Sequence, residues 1–563
     1  MTGPEKVILA KKTGGRAAVI MLQGTSSDAG KSLLAAALCR IFRQDGLRPA
    51  PFKAQNMSLN SCVTPDGREI GRAQGMQADA CGIPATTDMN PILLKPKRDM
   101  EAQVVVHGKP YRDMDARTYR ESYLPEAEKV VKEALERLRA AFDVVVIEGA
   151  GSPAEVNLKD RDVVNMRLAG WADAPVLLVA DIDRGGMFAS VVGTMEILEP
   201  EERARVRGVI VNKFRGDASL LRSGLEWLEA RIGKPVLGVI PYIPGLALED
   251  EDSASLDARG PSAASSHGGF ADGSGCPDGG GVLDIAVLRL PRLANYTDFD
   301  PLLGEPGVRL RFVSSVEGWG RPDIVILPGS KNTVADLRFL YDSGLAWKML
   351  AHAERGGRLL AICAGYQMLG RRLLDPLLVE SDIPEIEGLG LIPAETVFTA
   401  DKRTERVAGV AKMPFFPGGE PVEGYEIHMG RTRFLEPVRH PFRIRTVRAG
   451  RSGLGAGAGA IWAGGGSADI PAEPHADEPY MDGYVSADGK IWATYIHGIL
   501  HNDGLRLAWL NDARREKGLP GAETALPFRE RRERSFDRLA RLVREHLDME
   551  RVYRILNKED AEP

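Results

Sequence analysis

The chain has 563 residues, of which 44% are hydrophobic and 27% are charged. At roughly 150 residues per domain, this length predicts more than one folded core, and the composition is typical of a globular protein. A formal net charge of −5 leaves no basic excess for a nucleic-acid backbone, and no stretch approaches the roughly 18 uninterrupted apolar residues of a membrane span.

Cysteine usage and the first residues predict a cytoplasmic protein. The five cysteines include no CxxC pair, which does not fit a disulfide framework or a zinc site. Residues 1–22 are basic, but they lack a long apolar block followed by a small-residue cleavage site. The sequence therefore predicts no signal peptide.

Apolar runs alternate with amphipathic stretches in the first half of the chain. Such alternation predicts a parallel sheet with helices on both faces. Helices are predicted at residues 32–43 and 126–142. Buried strands are predicted at residues 17–22, 144–147, 176–180, 208–211 and 236–240.

The first predicted strand leads into the sequence GTSSDAGKS at 24–32 and then directly into a predicted helix. Strand, glycine-containing loop and helix N-terminus form the context of a phosphate-binding loop, in which backbone N–H groups and the helix dipole face the anion. Five residues separate the two loop glycines where the plain motif has four, but Gly-Lys-Ser still begins the helix. The predicted nucleotide-binding residues are Gly24, Thr25, Asp28, Gly30, Lys31 and Ser32.

Polar residues follow other strands at the same predicted sheet edge. Glu148 ends a strand and begins the sequence EGAG; with the Ser32 hydroxyl it is predicted to bind the Mg²⁺ of a nucleotide. Asn212 follows the strand at 208–211 and is predicted to contact the base. The segment DIDRGG at 181–186 stands at this edge too, and its role stays open between a switch-like or substrate-facing segment and a plain loop.

A glycine-rich stretch at 259–281 has almost nothing to bury and predicts a flexible linker. Strand patterns resume at 285–290, 324–327 and 359–362, and a second glycine-rich stretch at about 449–480 predicts a disordered loop. We therefore expect an α/β protein with domains at 1–258 and 282–526, followed by a tail at 527–563 that carries a charged amphipathic helix.

A second candidate site surrounds Cys363, where the sequence AICAGYQ at 361–367 turns from a strand into a helix. This pattern is typical of a nucleophile elbow, whose tight turn exposes the sulfur while the helix N-terminus favours the thiolate. A thiolate needs a histidine partner. His497 ends a predicted strand and is the first candidate; His428 and His501 stay open as alternatives.

The same domain offers groups for a developing oxyanion. Gly329 lies in a Pro-Gly turn after the strand at 324–327, and Ala364 follows the candidate nucleophile. Backbone N–H groups at such turns can stabilise the negative charge of a tetrahedral intermediate. A thiol hydrolase joined to a nucleotide site predicts a glutamine-dependent amidotransferase, in which glutamine supplies ammonia and ATP activates a carboxylate.

Several sequence segments resemble the cobyric acid synthase family of glutamine-dependent corrinoid amidotransferases over nearly the whole chain. They are PFKAQNMSLN at 51–60, EIGRAQ at 69–74, DMNPILLKP at 88–96, GYEIHMG at 424–430 and YIHG at 495–498. The phosphate loop and EGAG resemble dethiobiotin synthetase, which implies a fold of that type for the first domain and a class I glutamine amidotransferase-like fold for the second.

The resemblance implies a specific reaction. It is the amidation of the b, d, e and g carboxylates of adenosylcobyrinic acid a,c-diamide in cobalamin biosynthesis, with glutamine, ATP and Mg²⁺. Cys363 and His497 match the thiol and histidine of the family. We further hypothesise that Lys53, Gln55 and Asn56 orient the substrate carboxylate and the triphosphate.

Two residues depart from the general glutaminase pattern. Ala361 stands where the elbow often has glycine, and Ile499 stands where many thiol glutaminases carry an acid two residues after the histidine. The third member of the Cys/His site is therefore expected to be missing or to come from elsewhere. The corrinoid amidases resemble this chain in that lack.

Two alternative functions stay open. An amidase for the a and c carboxylates would share this architecture, but the segment at 51–60 argues against it. A regulatory P-loop ATPase with a degenerate glutaminase domain would have a silent thiol, and the elbow at Cys363 argues against that.

Overall fold

The structure is a computed structural model that describes residues 15–98, 100–249, 281–448 and 478–559. The predicted linker and the predicted disordered loop lie outside these ranges, apart from residue 281 and residues 478–480. Among the described residues, 15–58, 69–249 and 532–559 form one compact unit, and 59–68, 281–448 and 478–531 form a second. The domain boundaries given above stay predictions.

The first unit is built on a six-stranded sheet in which every neighbouring pair is parallel. Its central strands are rich in valine, isoleucine and leucine and are buried along their whole length, because helices cover both faces. Across the sheet the strands are Val236–Pro241, Val206–Phe214, Val176–Asp181, Ala18–Gly24, Val144–Glu148 and Pro49–Phe52.

The helices of the first unit fill the connections between these strands, as the alternating pattern predicts. The predicted helices at 32–43 and 126–142 are Lys31–Gln44 and Leu124–Ala141. The others are Arg72–Cys81, Ala116–Thr118, Met166–Ala172, Met187–Ile197, Pro200–Arg205 and Arg222–Ile232. A four-stranded sheet adds Gln55–Met57, Ile92–Arg98, Glu101–Val106 and Lys109–Asp115, and a short strand spans Glu69–Gly71.

The second unit has its own six-stranded sheet, parallel except for one edge strand. The order is Val308–Val313, Leu283–Leu288, Ile324–Leu327, Arg358–Ile362, Ile491–Thr494 and Tyr484–Val485. The predicted α/β class, with parallel strands in both halves, is confirmed. Its helices are Thr333–Asp342, Leu345–Glu354, Ala364–Met368 and Asp503–Glu516.

A second, mainly antiparallel sheet packs within the same unit around two long paired strands, Ala394–Met413 and Phe416–Phe434. Its remaining strands are Arg372–Leu374, Glu385–Glu387, Phe442–Thr446 and Tyr480–Asp482. Short strands span Ser61–Val63, Leu293–Ala294 and Gly329–Ser330. This sheet brings Tyr425 beside His497 through a pair of backbone hydrogen bonds.

The predicted single helix of the tail is two helices, Phe528–His546 and Met549–Leu556. The break lies at Asp548, whose side chain accepts a hydrogen bond from the Arg551 N–H and caps the second helix. This cap satisfies one of the backbone N–H groups that the start of the second helix leaves without an intrahelical partner. Apolar residues of the tail, including Phe536 and Val552, pack into one core of the first unit.

Candidate functional site

The phosphate loop connects the central strand of the first unit to the helix Lys31–Gln44. Gly30 has φ +93°, and a Cβ there would lie 2.1 Å from Asn212 Nδ2, so only glycine fits. Lys31 Nζ donates to the backbone oxygens of Ser26 at 3.0 Å and Gly151 at 3.1 Å. The lysine thus links the loop to the EGAG segment at the carboxyl edge of the sheet.

Glu148 is the centre of a buried polar network. Its Oε1 accepts from the Ser32 hydroxyl at 2.8 Å and from Lys53 Nζ at 2.9 Å, and its Oε2 accepts from Gln77 Nε2 at 2.6 Å. Glu148 is fully buried, and a buried carboxylate is stable only with such partners. The structure therefore brings together three of the predicted residues, Ser32, Lys53 and Glu148.

Gln77 is a member of this network that the sequence reasoning missed. It lies on the helix Arg72–Cys81, one turn beyond Gln74, where the recognised EIGRAQ segment ends. The only signal was this position, one helical turn after a polar motif residue on the same face. That signal does not distinguish a glutamine of the site from one that only binds nearby backbone groups or faces solvent.

The donor set around Glu148 fits Mg²⁺. Among the described residues, no group of three or more His, Cys, Asp and Glu side chains could hold a metal ion. Mg²⁺ does not require one, because it usually takes one or two protein oxygens together with phosphates and water. Ser32 Oγ and the Glu148 carboxylate are hard oxygen ligands, and the buried Gln77 Oε1 has no hydrogen-bond partner.

The other predicted nucleotide and substrate residues have partners of their own. Asn212 Nδ2 donates to the Ala29 carbonyl of the loop at 2.9 Å. Asn56 Nδ2 donates to Gln74 Oε1 at 3.0 Å, and Gln55 accepts a hydrogen bond from the Tyr119 hydroxyl. The structure thus places Lys53 beside Glu148, whereas Gln55 and Asn56 contact other side chains.

Charged residues surround the loop on its exposed side. Arg184 pairs with Asp28 at 3.3 Å, and Lys213 pairs with Asp181 at 2.9 Å. Both partners of the first pair are about half-exposed, so solvent screens their attraction. The Thr25 N–H donates to the backbone of the neighbouring strand at Val179, which fixes the start of the loop.

Cys363 occupies the turn between the strand Arg358–Ile362 and the helix Ala364–Met368. Its φ of 54° and ψ of −111° are strained for a residue with a side chain, as in a nucleophile elbow. Gly365, two residues after the cysteine, must be glycine, because a Cβ there would lie 2.2 Å from the Leu327 carbonyl oxygen. The predicted elbow geometry is present.

His497 lies beside Cys363 and is held by a carboxylate. Its Nδ1 is 2.7 Å from Asp298 Oδ2, and the Gly498 N–H donates to Asp298 Oδ1 at 2.8 Å. Burial lowers the pKa of His497, but the Asp298 carboxylate and the Cys363 thiolate outweigh it and raise that pKa to about 10. The third member of the site therefore comes from elsewhere in the chain, as one of the two expectations had it.

Asp298 lies in a 3₁₀ turn, Tyr296–Leu302, after the short strand Leu293–Ala294. The sequence offered a weak signal for it, since carboxylates that follow a strand stand at the functional edge of an α/β sheet. Asp300 shares that position in the sequence, so the pattern alone cannot choose between the two. Only the tertiary fold brings Asp298 to His497.

The two alternative histidines have different surroundings. His428 Nδ1 lies 2.8 Å from the Gly430 carbonyl oxygen, and its ring stacks on Tyr495 with centroids 3.8 Å apart. Burial lowers the pKa of His428 to about 4, so this ring stays neutral. His501 Nε2 lies 3.4 Å from the Thr297 carbonyl oxygen. Among the described residues, the buried Nε2 of His428 has no hydrogen-bond partner, so no carboxylate orients that ring.

The predicted oxyanion groups border the same site. A Cβ on Gly329 would lie 3.2 Å from His497 Cε1 and 3.8 Å from Cys363 Cβ. Ala364 is the first residue of the helix that follows the cysteine. The structure therefore brings Gly329, Ala364, Cys363 and His497 into one buried cluster.

Two family models match the chain. The CobQ/CobB/MinD/ParA nucleotide binding domain matches residues 20–255, which include the phosphate loop and Glu148. The CobB/CobQ-like glutamine amidotransferase domain matches residues 284–505, which include Cys363, His497 and Asp298.

Curated relatives match nearly the whole chain. A cobyric acid synthase of Desulforamulus reducens is 48% identical over 552 residues, which cover 97% of this chain and 99% of the relative. The cobyric acid synthase of Geobacillus kaustophilus is 47% identical over 96% of this chain and 98% of the relative. The cobyric acid synthase of Yersinia enterocolitica is 46% identical over 96% of this chain and 99% of the relative.

Proposed function

The chain belongs to the cobyric acid synthase family, and from that premise we propose that it converts adenosylcobyrinic acid a,c-diamide to adenosylcobyric acid by amidating the b, d, e and g carboxylates. Family membership makes it a glutamine-dependent amide ligase that uses ATP and a corrinoid. The observation that carries the proposal is the strained Cys363 beside a histidine that Asp298 holds. A degenerate glutaminase with a silent thiol would not require a strained cysteine beside a histidine that a carboxylate holds.

The glutaminase half-reaction is assigned to the second unit. Cys363 Sγ attacks the glutamine carboxamide carbon as the thiolate, and His497 holds the proton that the thiol has given up. The N–H groups of Gly329 and Ala364 stabilise the oxyanion. His497 then returns a proton to the departing nitrogen, which releases ammonia and leaves a thioester. Water hydrolyses the thioester to glutamate and restores the thiol.

The synthetase half-reaction is assigned to the first unit. A substrate carboxylate attacks the γ-phosphorus of ATP, ADP leaves, and an acyl phosphate forms. Ammonia attacks the acyl carbon and phosphate leaves, which gives the amide. Lys31 and Lys53 supply positive charge to the phosphates and the carboxylate. Ser32 and Glu148 would hold Mg²⁺, which when bound neutralises phosphate charge.

We also propose a cellular location and domain limits for the enzyme. Within the part of the chain that the structure describes, no helix is both long and apolar enough to span a bilayer. We place the enzyme in the cytoplasm, with a synthetase domain at 1–258 and a glutamine amidotransferase domain at 282–526. Limited proteolysis followed by mass spectrometry of the fragments tests these limits.

The decisive experiment is an incubation of the protein with the a,c-diamide, Mg-ATP and glutamine, followed by mass spectrometry of the corrinoids. We expect products that differ by successive single amidations and end after the four positions b, d, e and g. A substrate with free a and c carboxylates that is amidated only there would instead identify the alternative amidase. Absence of glutamate release under every condition would contradict the enzymatic proposal itself.

A further inference from the structure

A short segment of the N-terminal half of the sequence belongs to the compact unit of the glutaminase site. Residues 59–68 fall in the second unit, although the residues before and after them belong to the first. Asn60 and Ser61 are both buried there. Asn60 Oδ1 accepts from the Tyr296 N–H at 3.2 Å, and the Ser61 N–H donates to Asn295 Oδ1 at 2.8 Å.

The first of these bonds holds the turn that carries Asp298. Tyr296 is the first residue of that 3₁₀ turn, and Asn295 precedes it with φ +54°. A left-handed residue with a side chain needs support from its surroundings. Asn60 and Ser61 supply that support to the turn from which Asp298 reaches His497.

The second bond sets the direction of the Asn295 amide. A backbone N–H can only donate, so the side-chain oxygen of Asn295 must face Ser61. Its NH₂ group then faces the other way, where Nδ2 lies 3.3 Å from His497 Nε2. The amide thus borders the imidazole edge that exchanges protons with Cys363, opposite the edge that Asp298 holds.

Ser61 is also bound to the residue that covers the face of the imidazole. The Tyr425 hydroxyl donates to the Ser61 carbonyl oxygen at 3.2 Å. The Tyr425 ring stacks on His497, with centroids 5.3 Å apart and planes at 21°. Val63 packs against Tyr425 and Ile427 in a small apolar cluster. Both polar groups of the Ser61 backbone therefore bind neighbours of His497.

We propose that Asn60 and Ser61 are positioning residues of the glutaminase, which hold Asn295 and Tyr425 at the edge and the face of the His497 ring. The inference rests on the proposed role of His497. A single bond from Asp298 fixes one ring nitrogen but lets the ring pivot about it. A reaction slows markedly when a reacting group is displaced by a fraction of an ångström. Rotation of the His497 ring about that bond must therefore be prevented.

Two variants test the proposal with glutamine hydrolysis as the readout. Asn60→Ala removes the acceptor for the Tyr296 N–H, and Tyr425→Phe removes the bond to Ser61 but keeps the stacked ring. We expect kcat for glutamine hydrolysis to fall by roughly 10- to 100-fold in Asn60→Ala and less in Tyr425→Phe. KM for glutamine should change little, because neither group is proposed to touch it.

Amidation with free ammonia reports whether the synthetase of each variant is intact, since it bypasses the glutaminase, and the melting temperature reports whether the second unit is folded. Asn511→Ala is the matched control, because Asn511 also binds backbone groups of the same unit, at Ala522, without contacting His497. We expect it to hydrolyse glutamine at the wild-type rate. Should Asn60→Ala also lose ammonia-dependent amidation, its damage would extend beyond the glutaminase site. The glutaminase rate of Tyr425→Phe would then decide whether the positioning role holds.

The outcomes separate this inference from the proposed function. Wild-type kcat in both Asn60→Ala and Tyr425→Phe, in an enzyme that hydrolyses glutamine, overturns only the positioning role. So does an equal loss in Asn511→Ala, which would indicate general destabilisation. A wild-type enzyme that hydrolyses no glutamine overturns both.

Discussion

The phosphate site of the first unit and the thiol site of the second unit are built in different ways. Residues 24–32 and Glu148 lie at the carboxyl edge of one parallel sheet, and short contiguous sequence motifs contain them. Cys363 and His497 also end strands of a sheet, but Asp298 comes from an irregular turn that no motif marks. A loop that binds phosphate through its backbone N–H groups can be recognised from a local sequence motif. A carboxylate that orients a catalytic side chain from a distant segment cannot.

The two sites also use a buried carboxylate differently. Glu148 receives donors from three separate segments and so fixes the positions of Ser32, Lys53 and Gln77. Asp298 binds one ring and the following backbone N–H, and it sets the charge of that ring. The first carboxylate organises a charged cluster, whereas the second tunes one titrating group.

The largest effect is expected at the thiol. Cys363→Ala should abolish glutamine-dependent amidation, by at least about 10⁴-fold, and leave ammonia-dependent amidation intact, because only the nitrogen source is lost. Cys39→Ala, which changes a buried thiol of the other unit, should keep both activities. Product formation with each nitrogen donor is the measurement; loss of the ammonia reaction in Cys363→Ala would contradict the division of labour.

The opposite pattern is expected at the lysine beside Glu148. Lys53→Ala should lower ATP-dependent amidation by roughly 10²- to 10³-fold and leave glutamine hydrolysis intact. Lys95→Ala is the matched control, since it also breaks a buried lysine–glutamate pair, with Glu69, in the same unit. Similar losses of amidation in the two variants would indicate that ion-pair stability, rather than the phosphate site, is being measured.

An effect smaller than that at the thiol is expected at the carboxylate that holds His497. Asp298→Asn should slow glutamine hydrolysis by roughly 10²- to 10⁴-fold, as loss of the orienting acid does in other hydrolases. Asp300→Asn, in the same turn, should have little effect. Steady-state glutaminase rates of the two variants are to be compared with the wild type.

The pH profile sharpens the same prediction. His497 is charged below its raised pKa of about 10, and in the proposed mechanism the charged ring is the acid that protonates departing ammonia. Wild-type kcat should therefore fall as pH rises through about 10. Removing the Asp298 charge lowers that pKa, so the alkaline limb in Asp298→Asn should move to lower pH. An unmoved limb would show that another group titrates there.

The smallest effect is expected at the oxyanion turn. Gly329→Ala places a methyl group 3.2 Å from His497 Cε1, which forces a shift of a few tenths of an ångström. We expect kcat for glutamine to fall about tenfold with an unchanged melting temperature. Gly418→Ala, where a Cβ meets nothing within 4 Å, should leave both quantities unchanged.

The sequence predicted what depends on local geometry and missed what depends on distant contacts. The α/β class, the parallel strands and the helix after Lys31 follow from periodicity and loop chemistry. The strained turn at Cys363 follows from the strand, the small residues and the helix around it. Asp298, Gln77 and Asn295 could not be predicted, because each acquires its partner only when segments far apart in sequence pack together.

The separate path of residues 59–68 constrains how this gene can be divided. A cut in the region between the two halves would yield a downstream polypeptide without the stretch that contacts Tyr296, Asn295 and Tyr425. Such a fragment would carry every residue to which the hydrolysis is assigned here and still lack part of the support proposed for its histidine. Fission of the gene, in evolution or in the laboratory, would then require a replacement for that stretch.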